Sequence, residues 1–93
     1  MVNDVSGTIV SGGTAQVLIQ IPANSVGYCV QNLDSTEDLW INETGDATAG
    51  PGSIKIPAGA LYETPTDVNA TYNSSSVSIF SAKTGHAFTA RRW

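Results

Sequence analysis

The stretch Gly12-Gly13-Thr14-Ala15-Gln16-Val17-Leu18-Ile19-Gln20-Ile21-Pro22 decides the fold class. Ala15, Val17, Ile19 and Ile21 alternate with Thr14, Gln16, Leu18 and Gln20, and only Leu18 interrupts the polar set. A period of two puts successive side chains on opposite faces of a strand. The paired glycines in front supply positive φ at low steric cost, and Pro22 behind cannot donate to a ladder. The segment reads as a half-buried strand with Ala15, Val17 and Ile19 toward the core. The Gly12-Gly13 turn is expected to join it in a hairpin to a preceding strand at 5–10.

The same grammar continues outward. Residues 26–32 set Val26, Tyr28 and Val30 on one face, and 39–42 set Leu39 and Ile41 against Trp40 and Asn42. Ile54-Lys55-Ile56 stops at Pro57, and 60–63 follows an Ala58-Gly59 turn. Residues 76–82 alternate Val77, Ile79 and Ser81 with Ser78, Phe80 and Ala82. The last strand, 87–91, carries Phe88 and Ala90 on one side. The turn at 83–86 is expected to pair these last two strands and bring Phe80 and Phe88 into the core. Polar or Gly/Pro-punctuated loops fill 33–38, 43–53 and 65–75, with Gly50-Pro51-Gly52 read as an extended crossover that touches a partner. No window of eleven or more residues carries a helical apolar stripe free of Gly or Pro. About eight short strands at intervals of roughly 8–12 residues predict one all-β domain over 1–93. Its expected form is a small antiparallel β-sandwich, jelly-roll-like or immunoglobulin-like.

Composition narrows the function classes. The net charge is −4, which argues against nucleic acid as the main partner. All 8 acids lie between Asp4 and Asp67, whereas Lys83, Arg91 and Arg92 supply three of the 4 bases. The ending Arg91-Arg92-Trp93 is therefore basic and aromatic on an acidic body. It reads either as a solvated final strand or as a tail docking on an acidic patch of a neighbour, with Trp93 inserted there or folded back on its own sandwich. No run approaches the roughly 20 apolar residues of a membrane helix, and no secretory leader is visible, so synthesis in a cytoplasm is expected. A single cysteine, Cys29, forbids an internal disulfide. Small domains without such a staple often rely on self-association or on a larger partner.

Candidates for chemistry are sparse. His86 is the only histidine, and in Thr84-Gly85-His86-Ala87 it reads as a turn residue; no nucleophile elbow accompanies it. Cys29 sits mid-strand between Tyr28 and Val30 and reads as a structural thiol. Asp34, Glu37 and Asp38 share a loop, but the EF-hand pattern is missing and a solvated loop is the better reading. Glu43 and Asp46 form a carboxylate pair of unspecified separation. Three Asn-x-Ser/Thr matches, at Asn42, Asn69 and Asn73, have no visible route to glycosylation. No catalytic, cofactor-binding or metal-binding residue is assigned, and no enzyme is expected. Trp40 and Tyr72 are the aromatics suited to stacking a sugar.

Four runs stand out in order. They are Val30-Gln-Asn-Leu-Asp-Ser-Thr-Glu-Asp-Leu-Trp-Ile-Asn42, Gly45-Asp-Ala-Thr-Ala-Gly-Pro-Gly-Ser-Ile54, Ile56-Pro-Ala-Gly-Ala60, and Val77-Ser-Ile-Phe-Ser-Ala-Lys-Thr-Gly-His-Ala-Phe-Thr-Ala90. Together they resemble short structural proteins encoded among the virion genes of tailed bacteriophages and prophages. Those proteins carry a Gln-Asn, a polar loop, Leu-Trp-Ile/Val-Asn, a Gly-Pro-Gly-Ser crossover and a late strand pair in the same order, often with Gln where His86 stands. The resemblance implies a structural component of the particle, on head or tail; with the modest core, a homo-oligomer or multi-copy protein that meets the major capsid protein or other virion proteins is expected. A capsid decoration (cement) protein is the leading expectation, a tail, fibre or neck protein the next, and a carbohydrate-binding module the third. The N-terminal residues, Gly50, Pro51, Gly52, Arg91, Arg92 and Trp93 are the expected contact residues.

Overall fold

The computed structural model describes residues 3–20, 27–64 and 76–93. Expectations for Met1, Val2, Ile21, Pro22, Val26, the loop 65–75, Tyr72, Asn69 and Asn73 lie outside the described residues. Nine strands and no helix are found among those described: β1 (Asn3–Asp4), β2 (Gly7–Thr8), β3 (Gln16–Gln20), β4 (Tyr28–Asn32), β5 (Leu39–Asn42), β6 (Ile54–Ile56), β7 (Leu61–Glu63), β8 (Ser76–Phe80) and β9 (Ala87–Arg92). β1 and β2 pair in turn with the same strand, β9, and Val5 N–H bonds Ala90 O between them at 2.8 Å. They act as one interrupted edge strand, so the count agrees with the eight expected.

The strands form two antiparallel sheets. The first runs β1/β2–β9–β4–β7 and the second β3–β8–β5–β6. The pairings nest: the first strand with the last (β9), β3 with β8, β4 with β7, β5 with β6. This is one long hairpin, with its apex at 43–53, rolled so that its limbs alternate between the sheets. That connectivity is the jelly roll. It decides between the two sandwich types, because an immunoglobulin domain places its first two strands in one sheet.

Two expected hairpins are corrected by this topology. The Gly12-Gly13 turn joins β2 of the first sheet to β3 of the second, and the 81–86 turn joins β8 to β9 across the sandwich. Both are corners between sheets. A turn glycine reverses the chain equally well in either setting, so nothing local distinguishes them.

The core lies between the sheets. Ile9, Tyr28, Val30, Leu39, Ile41, Ile56, Val77, Ile79, Phe88 and Ala90 form one cluster, flanked by Val5, Leu18, Ala60 and Tyr62. The period-two reading holds in β4, β5, β8 and β9. Phe88 is in the core as expected, whereas Phe80 is only half-buried and has the opposite parity to Ile79. In β3 the expected faces are exchanged at two positions: Leu18 packs on the core and Val17 is 57% exposed. The cause is a register shift between Val17 and Ile19, where the β3·β8 ladder steps from Ser78 to Val77. The extra residue lets Val17 stand opposite outward-facing Ser78 while Ile19, two positions on, stands opposite Val77 of the core. Gln16 closes this corner, donating from Nε2 to Thr8 O at 3.1 Å and accepting Val10 N–H at Oε1 at 2.9 Å.

Candidate functional site

The two ends of the sandwich are built differently. The connections 9–15, 33–38, 57–60 and 81–86 all cross between the sheets at one end. The opposite end holds the β5–β6 connection and the close of β9.

The first end is sealed by a buried polar cluster centred on His86. Asn32, Ser81 and His86 are each 0% exposed. Asn32 Nδ2 donates to the carbonyls of Glu37 and Ile56, both at 2.9 Å. That fixes Asn32 Oδ1 as an acceptor, 2.7 Å from His86 Nε2. The imidazole proton is therefore on Nε2, and Nδ1 accepts from the Ser81 hydroxyl at 2.7 Å. Ser81 Oγ in turn accepts Lys83 N–H at 3.1 Å, and Asn32 Oδ1 also accepts Asp34 N–H at 2.9 Å. Every polar atom of the His86 ring is satisfied with the ring neutral. Burial, the largest influence, pushes the imidazole pKa below its ordinary value, with the Lys83 ammonium adding to that and Asp34 opposing it.

Backbone bonds complete the clasp: Ile9 N–H to His86 O, Gly85 N–H to Ile9 O, Gly13 N–H to Ser81 O, Asn32 N–H to Ala60 O and Leu33 N–H to Ala87 O. Outside it, Lys83 Nζ meets Asp34 Oδ1 at 2.7 Å. Asp34 Oδ2 also accepts the backbone N–H groups of Thr36 and Glu37. Lys83 first, then those N–H groups, hold the Asp34 carboxyl well below the usual carboxylate range. Asp38 pairs with Lys55 at 3.5 Å. The acidic loop is thus committed to its own fold. Among the described residues no group of three or more His, Cys, Asp or Glu side chains is placed to hold a metal ion.

His86 closes the turn expected at 83–86, its N–H on Lys83 O at 3.3 Å, and its side chain is in addition the buried hub of four connections. Its contact with Ser81 has the outline of a nucleophile–base pair, but both side chains are enclosed and the third member is an amide. The arrangement positions loops, and sequence separations of 5 and 54 residues gave no signal of it.

At the opposite end, the expected contact residues divide. Asn42, buried, organises the β5–β6 connection: its Oδ1 accepts Thr44 N–H at 2.7 Å and Gly45 N–H at 3.1 Å. Ala47 N–H reaches back to Ser78 Oγ on the outer face of the second sheet at 2.9 Å. Gly50-Pro51-Gly52-Ser53 is a closed turn, with Ser53 N–H on Gly50 O at 3.2 Å and Gly52 at φ +95°. Proline at the second position and a positive-φ glycine at the third are the signature of a type II turn. The expected extended crossover is therefore a tight, exposed tip.

Arg91-Arg92-Trp93 is no free tail. Arg91 and Arg92 belong to β9, an interior strand, opposite Cys29 and Tyr28 of β4. Trp93 continues the ladder, exchanging backbone bonds with Gly27 at 2.9 and 3.2 Å. Its indole lies over Gly27, where an added Cβ would stand 2.7 Å from Trp93 Nε1 and 2.8 Å from Thr64 Oγ1. Trp93 folds back on its own domain, the second of the two arrangements expected for it. Strand alternation separates the arginines. Arg92 has the inward parity of Ala90 and is half-buried, whereas Arg91 is exposed on the outer face of the first sheet.

That outer face carries a shallow depression of about 310 Å³ lined by Cys29, Gln31, Leu61, Glu63, Thr89 and Arg91. Asp4 flanks it across β1; the Ser6 hydroxyl and backbone N–H lower its carboxyl pKa, and Arg91 contributes a smaller share. On the outer face of the second sheet Trp40 stands between Phe80 and Lys55 in register.

No protein-family model, no curated protein and no solved structure matches this chain.

Proposed function

We propose that this chain is a structural component of a tailed-phage particle, a decoration or cement protein that stabilises the head by docking on the major capsid protein. The observation that best supports this reading is the asymmetry of the jelly roll. One end is pinned by the His86 cluster, while the other carries, among the described residues, the exposed Pro51-Gly52 tip and the close of β9. A rigid body with one presenting end suits repeated docking on a lattice of identical subunits. The jelly roll occurs in capsid proteins, lectins and enzymes alike, so the fold by itself does not choose among them.

The test is quantitative mass spectrometry of intact purified particles. Copies in proportion to the capsid protein are expected. A handful per particle would move the protein to the tail, fibre or neck, and absence would overturn the reading. The half-buried Trp40 in its row with Phe80 and Lys55 favours, as a second reading, a carbohydrate-stacking platform. Glycan-array binding lost on Trp40→Ala would establish it.

A further inference from the structure

We propose that the outer face of the first sheet is a self-complementary surface that pairs face to face with a second copy of this chain. Register and charge carry the proposal. Across the middle of that face β9, β4 and β7 align Arg91, Cys29 and Glu63 in one row. The next outward row is Thr89, Gln31 and Leu61. Each row has a neutral residue on the central strand, β4, and unlike residues on either side.

A two-fold axis lying between two such faces, parallel to β4, exchanges the β9 side with the β7 side. It sets Arg91 over Glu63 of the second copy, and Glu63 over Arg91 of the second copy. In the other row it sets the exposed Leu61 over the shorter Thr89 of the second copy, twice. Leu61 of each copy thus covers the shorter Thr89 of the other, and no like charges of these rows meet. This is the i-to-j, j-to-i pattern of an isologous interface. Among the described residues neither Arg91 nor Glu63 takes part in an ion pair within its own chain. Asp4, two strands from β4, falls outside the overlap with β7.

The contact is small. Strand spacing and rise give a face of roughly 20 by 17 Å, well under the ~800 Å² per partner of a standard interface. The pair is therefore a weak one, populated at high concentration. Such pairing is a property of the isolated protein and stands apart from the phage reading, which the particle measurement tests separately.

The experiment is sedimentation velocity over a concentration series from micromolar to millimolar, on wild type, E63R, R91E, the double swap E63R/R91E, and an equimolar mixture of the two single variants. Circular dichroism confirms that each is folded. Wild type is expected to dimerise reversibly. Each single reversal opposes like charges twice and weakens the pair by about tenfold or more. The double swap restores it. The mixture forms a 1:1 heterodimer tighter than the wild-type pair, because the all-basic row of E63R meets the all-acidic row of R91E. Cys29, the sole cysteine, faces its counterpart across the axis. Sheets packed face to face lie ~10 Å apart, so a short bis-maleimide is expected to trap the wild-type dimer and not the single variants. A wild type that stays monomeric to millimolar concentration, a dimer indifferent to the single reversals, or a mixture that forms no heterodimer would each overturn the proposal.

Discussion

Replacing His86 separates a hydrogen-bonding role from every other reading of that residue. His86→Leu keeps an apolar side chain in the enclosed site and removes both ring nitrogens. The Ser81 O–H, now 2.7 Å from Nδ1, is left without an acceptor in the clasp. An orphaned buried donor costs about 1–3 kcal/mol. Asn32 Oδ1 loses the Nε2–H bond and keeps Asp34 N–H, a loss of about 0.5–1.5 kcal/mol. The sum, about 1.5–4.5 kcal/mol, is large against the 5–15 kcal/mol typical of a folded domain. At about 4–8 °C per kcal/mol for a domain of this size, Tm falls by about 6–36 °C. His86→Gln offers an amide oxygen to Ser81 and an amide N–H to Asn32 in the same order. It is expected to stay within about 1 kcal/mol of wild type, since it exchanges hydrogen bonds rather than orphaning them.

The pH dependence follows the same chemistry. Burial holds the folded imidazole pKa below the unfolded value of about 6.5. Below that pH the unfolded chain takes up a proton that the folded chain resists. The contribution of His86 is full above about pH 6.5 and declines as pH falls below it. Only below about pH 4 does Asp34 add its own loss, as the carboxylate that Lys83 and two backbone N–H groups stabilise becomes protonated. Urea unfolding followed by circular dichroism at pH 7 and pH 5 reads the His86 effect, a further point at pH 3 reads Asp34 together with Asp4, whose carboxyl is also held low, and the Gln variant should lack the His86 slope. A Leu variant as stable as wild type, a Gln variant as damaged as Leu, or an unchanged slope in the Gln variant would refute the reasoning.

Two further outcomes are expected from stability measurements. Gly27→Ala drives a Cβ into the Trp93 indole and Thr64 Oγ1, and should cost about 1–3 kcal/mol as an overpacked site; in a Trp93→Ala background the cost should shrink, and equal costs in the two backgrounds would show that the indole does not lie there. Val17→Thr should stay within about 0.5 kcal/mol while Leu18→Thr costs about 2 kcal/mol, the reverse of what strict alternation demands; equal effects in a denaturant titration would remove the β3 register shift.

Strand positions were legible because alternation is a local signal. Tyr28 and Val30, Leu39 and Ile41, Val77 and Ile79, Phe88 and Ala90 all face the core as their spacing predicts. Sheet membership was not legible. β2 and β9 are nearly eighty residues apart, and their pairing depends on which corner each turn makes. The register shift in β3 was hidden for a related reason: it is visible only against Ser78 and Val77 of the partner strand. The His86 cluster was the deepest omission. Asn32, Ser81 and His86 look like an ordinary strand end and turn until the roll brings β4 against the 81–86 corner and encloses all three.

The C-terminal run shows how far a strand's alternation changes a functional argument. In sequence, Arg91-Arg92-Trp93 is one basic aromatic unit. In the fold its members have three different surroundings: Arg91 on the open face, Arg92 half-buried at the end, Trp93 laid over Gly27. A truncation of this run would shorten an interior strand and uncover Gly27, so it would report on folding as much as on docking. Point changes at Arg91 do not share that defect. They also link the two proposals without merging them. A pair too weak to persist in dilute solution becomes populated when copies are held side by side at millimolar effective concentration, and a repeating shell surface supplies that condition. On such a surface, loss of the Arg91–Glu63 complementarity should lower the cooperativity with which copies fill the lattice and leave the affinity of an isolated copy for its site unchanged.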